Sequence, residues 1–508
     1  MRSLLLMPLV LAASALPAQT HGSVSHAAAT ITAEDVTQRI NVIADDSMMG
    51  RDTPSRGLDL TAQYVADQFR KFGLQPGGEN GTYFQRYAIL RRRFLVDQSS
   101  LRFSGPDGTS IDLPFASSLI LLAGSPSAEP VSGPVTLVSA VVDPAAIHEA
   151  EAKDQIVVWV LDMTRPLPAN RGEVIGAFAR AGARAFIIAS NRDSAQFAAQ
   201  TRSQASRLRT GREGQAPSGA PLIVEADERA IVRAQPEAAS DFSRLRSAPT
   251  MTLRPMPEWQ ATITIRDTIL ERATAPNTIG ILPGSDPKLR AEYVFLTAHM
   301  DHVGITAGAA DSINDGADDD GSETLGVVEL SEAFSRGARP RRSIAFMTVS
   351  GEEKGLWGSD YFTTHPTVPL AQVVADLNLD MIGRNWQDTI VAIGKEHSDL
   401  GRTLNRVNAA HPELRMTAID DIWPEERFYF RSDHYNFARK GVPILFFFNG
   451  VHADYHRPSD SPDKIEAEKE SRILRLVYYL AQDVADAPAR PQWNTESYKQ
   501  IVEGAAGR

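Results

Sequence analysis

The sequence predicts an α/β protein: a mixed, mostly parallel sheet covered by helices on both faces, with a smaller α/β domain inserted into it. Three observations carry this expectation. Continuous apolar runs recur at 293–297, 343–349, 373–381, 389–393 and 442–448, as strands buried on both faces require. Helical periodicity near 322–335, 397–410, 432–440 and 466–486 alternates with them, the order that builds a sheet between helix layers. A second set of buried-strand runs (PVTLV at 134–138, IVVWVL at 156–161, ARAFII at 183–188) surrounds a helical stretch at 172–181.

Taken in chain order, Arg2 precedes the apolar run LLLMPLVLAASA at 4–15, and small residues Ala13, Ala15 and Ala18 follow before Gln19-Thr20-His21. That is the order of a secretory signal peptide, so residues 1–18 are expected to be a leader and the protein to be exported, periplasmic or secreted. The run is too short to span a bilayer, nothing later reaches about 18 apolar residues, and the absence of cysteine excludes a lipoprotein anchor; no membrane anchor is expected. A helix is expected over 32–44, where Thr32 and Asp35 take capping-box positions. Leu58, Ala62, Val65, Phe69 and Phe72 keep helical spacing until Gly73 and Pro76 end that helix. Short strands are expected from 85 to 125, and the polar stretch 193–221 reads as a surface loop. The last helix is marked by Ile473, Val477, Leu480 and Val484 on one face. The domain expectation is therefore a discontinuous main domain at 26–125 and 256–490, an insert at 126–250, and a C-terminal tail at 491–508.

Composition narrows the function. The 508 residues carry 52 Lys and Arg against 63 Asp and Glu, a formal net charge of −11, which argues against a nucleic-acid partner needing a basic face. With no cysteine, disulfide scaffolds, thiolate zinc sites, iron–sulfur clusters and cysteine nucleophiles are excluded. A metal site would have to use His, Asp and Glu. Eight of the eleven histidines lie between 299 and 456.

Each polar cluster in that span follows a predicted strand, where ligands of open α/β sheets bind. Ala298-His299-Met300-Asp301 follows the first, a spacing that suits a metal-ligating imidazole and its orienting carboxylate. Asp318-Asp319-Asp320 precedes a helix; three adjacent carboxylates repel one another, and a cation is a natural way to hold them. Ser350-Gly351-Glu352-Glu353 follows the second strand, and neighbouring residues of extended backbone point in opposite directions, so one glutamate can face a metal while the other faces water. Asp380 ends the apolar strand LNLD, where an unpaired carboxylate is costly. His456 and Asp460 lie in the loop after the last strand. Individually each cluster has an ordinary explanation as a solvated loop or a helix cap; together they form an oxygen and nitrogen donor set suited to zinc or a similar divalent ion. HExxH, GxSxG and P-loop motifs are absent.

The ordered series AHMD at 298–301, GADDDG at 316–321, SGEEKGLWGS at 350–359, LNLDMIG at 377–383 and DYHRPSD at 454–460 resembles the co-catalytic, two-zinc exopeptidases of the aminopeptidase Y and aminopeptidase S type. The resemblance covers 290–486 closely and 30–125 more loosely, and the insert is similar to a protease-associated domain. It implies the zinc exopeptidase fold, phosphorylase/hydrolase-like, and metal-assisted hydrolysis at a peptide end with two Zn2+ per chain. By residue, it implies His299 and Asp380 on one zinc, Glu353 and His456 on the other, Asp319 bridging, Glu352 as general base and Asp301 as the carboxylate behind His299. Arg431 and Asp433 become candidate substrate contacts, with a helix cap at Ser432 an equal reading. The expected activity is that of an exported aminopeptidase acting on peptides. Alternatives are a glutamate carboxypeptidase-like enzyme, a single-zinc glutaminyl cyclase, or a non-catalytic receptor-like binding protein.

Overall fold

The computed structural model describes residues 23–504 apart from 128, 216–220, 237 and 309; the expected leader at 1–18 lies outside the described residues. The chain divides into two compact units, Met1–Tyr87 with Thr274–Arg508, and Ala88–Ala273.

The sheet of the first unit includes β1 (Asp267–Leu282), β2 (Tyr293–His299), β3 (Ser343–Val349), β4 (Val373–Asp380), β5 (Thr389–Ile393), β6 (Thr417–Ile419) and β7 (Ile444–Phe448). Their order is β6-β5-β7-β4-β2-β3-β1. The central strands β7, β4, β2 and β3 run parallel, and antiparallel pairings of β1 with β3 and β5 with β7 flank them. The sheet is mixed and mostly parallel, as the apolar runs require.

Alternation along each strand sends successive side chains to opposite faces. Leu296, Phe346 and Leu377 enter one core with Ile40, Phe69, Leu325 and Leu474, from α1 (Ala33–Ile43), α2 (Arg56–Lys71), α3 (Glu323–Arg336) and α4 (Ala467–Asp486). Phe295, Ala345 and Phe446 enter the opposite core with Phe362 and Phe437. At about 1.5–3 kcal/mol for each large apolar side chain buried, these two layers hold the strand ends in fixed register. The first helix begins as expected: Thr32 Oγ1 accepts from Asp35 N at 3.1 Å and donates to Asp35 Oδ2 at 2.6 Å. Among the described residues no helix is long and apolar enough to cross a membrane.

Three expectations are corrected. The second unit starts at Ala88 and ends at Ala273, not at 126 and 250. Strands Ser100–Ser104, Ser110–Pro114, Leu119–Ala123 and Leu253–Thr264 all join its sheet, and Leu101, Leu113, Leu119 and Ile263 share one core with Val158 and Ile187. Short alternating strands carry no sequence mark of their partner, so pairing register decides where they belong. The stretch 193–221 is not simply a loop: Ser194–Ser206 is a helix capped by Asp193, burying Phe197 and Thr201. Its two buried residues make too narrow a stripe to register as periodicity. Nor do residues from 491 form a loose tail, because Ile501 is buried and Trp493 packs on the same core, its Nε1 donating to Gly441 O at 2.9 Å.

Candidate metal centre

The carboxyl ends of four parallel strands and the loop before α3 converge on one site. His299 is the last residue of β2 and sits opposite Val349 of β3, after which the chain turns into Glu352 and Glu353. Asp380 ends β4, and His456 lies in the loop that leaves β7. His299, Asp319 and Asp380 are buried. His456 holds a left-handed backbone with φ of 57°, an unusual state for a residue with a side chain that is retained mainly where surrounding structure imposes it.

Two groups of donors form around Asp319. On one side His299 Nε2 faces Asp319 Oδ1 at 3.6 Å, Glu323 Oε1 at 3.5 Å and Asp380 Oδ2 at 3.9 Å. On the other, His456 Nε2 stands 3.1 Å from both Asp319 Oδ2 and Glu353 Oε1. His302 Nδ1 lies 3.2 Å from Glu353 Oε1 and 3.7 Å from Asp319 Oδ2. The two oxygens of Asp319 therefore serve different groups. Of the residues expected from sequence, His299, Asp319, Glu353, Asp380 and His456 are all brought together.

The three consecutive aspartates have separate positions. Asp318 Oδ1 accepts from Gly383 N at 2.7 Å and Ser322 Oγ at 3.2 Å, tying the loop to the end of β4. Asp319 faces the histidines. Asp320 Oδ2 lies 3.0 Å from His299 Nδ1 and its Oδ1 accepts from Arg51 Nη2 at 3.0 Å. Asp460, the last residue of DYHRPSD, accepts from the backbone N–H groups of Asp318 and Asp319 at 3.0 and 3.1 Å. Gly316 completes the turn at φ +54°, where a Cβ would stand 2.2 Å from Asp319 O and 2.6 Å from the His302 ring.

Asp301 differs from its expected place. Its carboxylate is 3.9 Å from His299 Nδ1, whereas the Asp320 carboxylate is 3.0 Å away, and the Asp301 backbone oxygen is at 3.1 Å. The Asp301 side chain instead accepts from Thr53 Oγ1 at 2.9 Å and Glu352 N at 3.1 Å, so it fixes the turn that presents the two glutamates. Arg431 is half exposed, pairs with Glu426 and covers the Phe428 ring, so its charge is engaged there. Asp433 is buried and accepts from Ser359 Oγ. Ser432 is no helix cap; its Oγ donates to Asp380 Oδ2 at 2.7 Å.

Sequence reasoning missed Arg51, Thr53, His302 and Glu323. Arg51 is buried and donates to the backbone oxygens of Ile43, Asp315 and Gly316 as well as to Asp320; nothing in its local sequence marks a partner some 270 positions away. His302 stands directly after AHMD, and Glu323 opens α3 after DDDGS; proximity to those motifs was the available signal.

The electrostatics are those of a site holding excess negative charge. Burial pushes Glu323 and Glu352 well above the usual carboxylate range, with His299 pulling against it. Asp319 is raised by burial and the Glu353 charge, and Asp301 is raised by burial to about 8. Glu353 moves the other way: burial opposes its charge, but the His302 and His456 imidazoles beside it hold it below the usual range. Burial also opposes a charged His456, yet Asp319 and Glu353 bring it to about 10.

The donor set fits divalent cations. Asp319 Oδ2, Glu323 Oε1, Glu353 Oε1 and both His302 nitrogens are buried without a hydrogen-bond partner among the described residues, and such atoms are costly unless something binds them. Donors at about 2.0–2.2 Å from one tetrahedral ion stand roughly 3.4 Å apart, close to the separations seen. Residues 277–481 match the model of Peptidase family M28. Over 222 residues it is 28% identical to a probable leucine aminopeptidase of Arthroderma otae, covering 42% of this chain and 58% of that protein. Over 255 residues it is 24% identical to a probable zinc metalloprotease of Leptosphaeria maculans, with the same coverages of 42% and 58%. The chain thus spans a little over half the length of these curated relatives. An aminopeptidase from Aneurinibacillus sp. strain AM-1 shares the fold at a TM-score of 0.51 with 18% identity, covering 92% of this chain and 97% of that one. The M28 region contains every residue of the two donor groups.

Proposed function

We propose that the protein is an exported, zinc-dependent aminopeptidase that hydrolyses the N-terminal residue of peptides. The observation that carries the reading is the division of Asp319 between two donor groups, in which Asp319 Oδ2, Glu323 Oε1 and Glu353 Oε1 are buried without a hydrogen-bond partner. In this reading two cations would be held, one by His299 and Asp380 and the other by Glu353 and His456, with Asp319 common to both sets. When bound, two divalent ions supply Lewis-acid polarisation of the scissile carbonyl and make water nucleophilic at neutral pH. Glu352 is the general base: it takes a proton from the attacking water and returns it to the leaving amine. Asp301 positions Glu352 by accepting its backbone N–H, and Ser432 orients Asp380. Export rests on the leader-like run at 4–15, and the Ala88–Ala273 unit is read as a protease-associated domain.

The test combines metal analysis with one short peptide in three forms: both ends free, N-acetylated, and C-amidated. About two zinc ions per chain, with cleavage abolished by acetylation only, is the expected result. Loss on amidation only would make the protein a carboxypeptidase, and neither metal nor cleavage would favour a binding protein.

A further inference from the structure

Glu323 is a buried carboxylate that the five-ligand reading leaves without a task. It opens α3, where an exposed glutamate would ordinarily favour the helix dipole. Here the side chain turns inward and its residue is 0% exposed. Oε2 accepts from Ser322 Oγ at 2.8 Å, which leaves Oε1 directed at His299 Nε2 at 3.5 Å with no hydrogen-bond partner. The same nitrogen faces Asp319 Oδ1 at 3.6 Å and Asp380 Oδ2 at 3.9 Å. His299, Glu323 and Asp380 each offer one atom to a group whose members lie within 4.8 Å of one another.

We infer that Glu323 is a direct fourth protein ligand of the cation held by His299, Asp319 and Asp380. This deepens the two-cation reading and rests on it. Catalytic zinc sites commonly keep three protein ligands and leave the fourth position to water or substrate. With Glu323 in place, this side presents one imidazole and three carboxylates. Such a donor set retains its ion tightly and, being rich in hard oxygen ligands, accommodates Mn2+ better than a histidine-rich site does. The other group, with His302 and His456 beside Glu353, is richer in nitrogen. The two positions are therefore inequivalent, with different preferences between Mn2+ and Zn2+.

Calorimetric titration of the metal-stripped full chain with Zn2+ and separately with Mn2+ tests this, alongside metal content after dialysis. Wild type is expected to bind two ions with distinct affinities. Glu323→Gln, which keeps the shape and removes the charge, should weaken one position by at least about tenfold, and Mn2+ more than Zn2+. His456→Ala should weaken the opposite position. Glu323→Ala covers the case in which the amide adopts a new hydrogen bond, and circular dichroism of the stripped chains checks folding. Two ions in wild type with unchanged affinities in both folded Glu323 variants overturns the ligand role and leaves the two-cation reading intact. A wild-type chain that retains no ion overturns both.

Discussion

The two units of this chain are both α/β sheets with parallel strands at their centres, and both pair buried carboxylates with arginine, but unpartnered buried carboxylate oxygens gather in one of them. In the Ala88–Ala273 unit, Glu225 is 0% exposed and accepts from Ser190 Oγ at 2.6 Å and Arg192 Nε at 3.1 Å. Asp227 pairs with Arg229 at 2.7 Å, and Glu228 pairs with Arg246. In the unit that holds the metal-centre residues, Asp319, Glu323 and Glu353 face histidines and one another. Among the described residues, every carboxylate oxygen that is buried without a hydrogen-bond partner belongs to that unit. An internal arginine settles a buried charge within the fold; a carboxylate left without one holds binding capacity in reserve. The contrast locates the chemistry more sharply than fold does, since one architecture hosts many functions.

The largest expected effect breaks the contrast at its centre. Asp319→Ala removes the residue common to both donor groups, so metal content should fall at both positions and turnover should reach background. Two retained ions, measured by mass spectrometry of the dialysed protein, would sink the bridging assignment. Glu352→Gln comes next. It should keep both ions and lower kcat by roughly 10²–10⁴, with KM little changed; loss of metal would mean that Glu352 is a ligand. Chelation should then separate the two units. Hydrogen exchange is expected to quicken at 316–323, 350–353 and 452–460, because an ion bound only to the folded state stabilises it. The strands at 131–138, 156–160 and 185–190 should exchange as before.

Much of this contrast was legible in the sequence, for physical reasons that also explain the gaps. The buried strands and the clusters after them announced themselves because apolar runs ending in His299, Glu353 or Asp380 conflict with burial unless something binds the charge. Spacing and the resemblance together place Asp301 behind His299, but neither says whether a side chain or its backbone oxygen turns inward. Asp320 takes that position instead because Arg51 anchors its other oxygen, a pairing between distant segments. Glu323 lies within the helix expected near 322–335 and carries no mark of its own, since its inward rotamer depends on packing. The borders of the inserted unit failed because Leu101 and Ile263 find each other only through strand pairing.

Smaller effects sharpen the contrast from the side of stability. Arg192→Ala strips the cation from Glu225. The arginine side chain is 27% exposed and Ser190 remains bonded to the carboxylate, so the expected loss is about 1–2 kcal/mol, below that of a fully buried pair. Metal content should be unchanged; a fall in bound zinc would show that the two units do not divide their charges as described.

The last prediction uses a carboxyl of the same unit, remote from the metal-centre donors. Asp376 lies 0% exposed within β4 and accepts from Thr297 Oγ1 at 2.7 Å. Burial raises it to about 8, opposed by that hydrogen bond and reinforced by the Asp433 charge. An unfolded aspartate titrates near about 3.9, so the folded state binds the extra proton between roughly pH 4 and pH 8. Stability associated with this group is therefore fully present below about pH 4, declines as pH rises, and is lost by the time pH passes about 8. Asp376→Asn removes the titration. The variant should gain on wild type as pH increases, with a difference between pH 5 and pH 9 of roughly 3 kcal/mol after relaxation. Denaturant melts at the two pH values check this. A variant whose stability tracks wild type across that range would show that Asp376 is ionised in the folded protein, and that a buried carboxylate here is held by the hydroxyl of Thr297 without a cation.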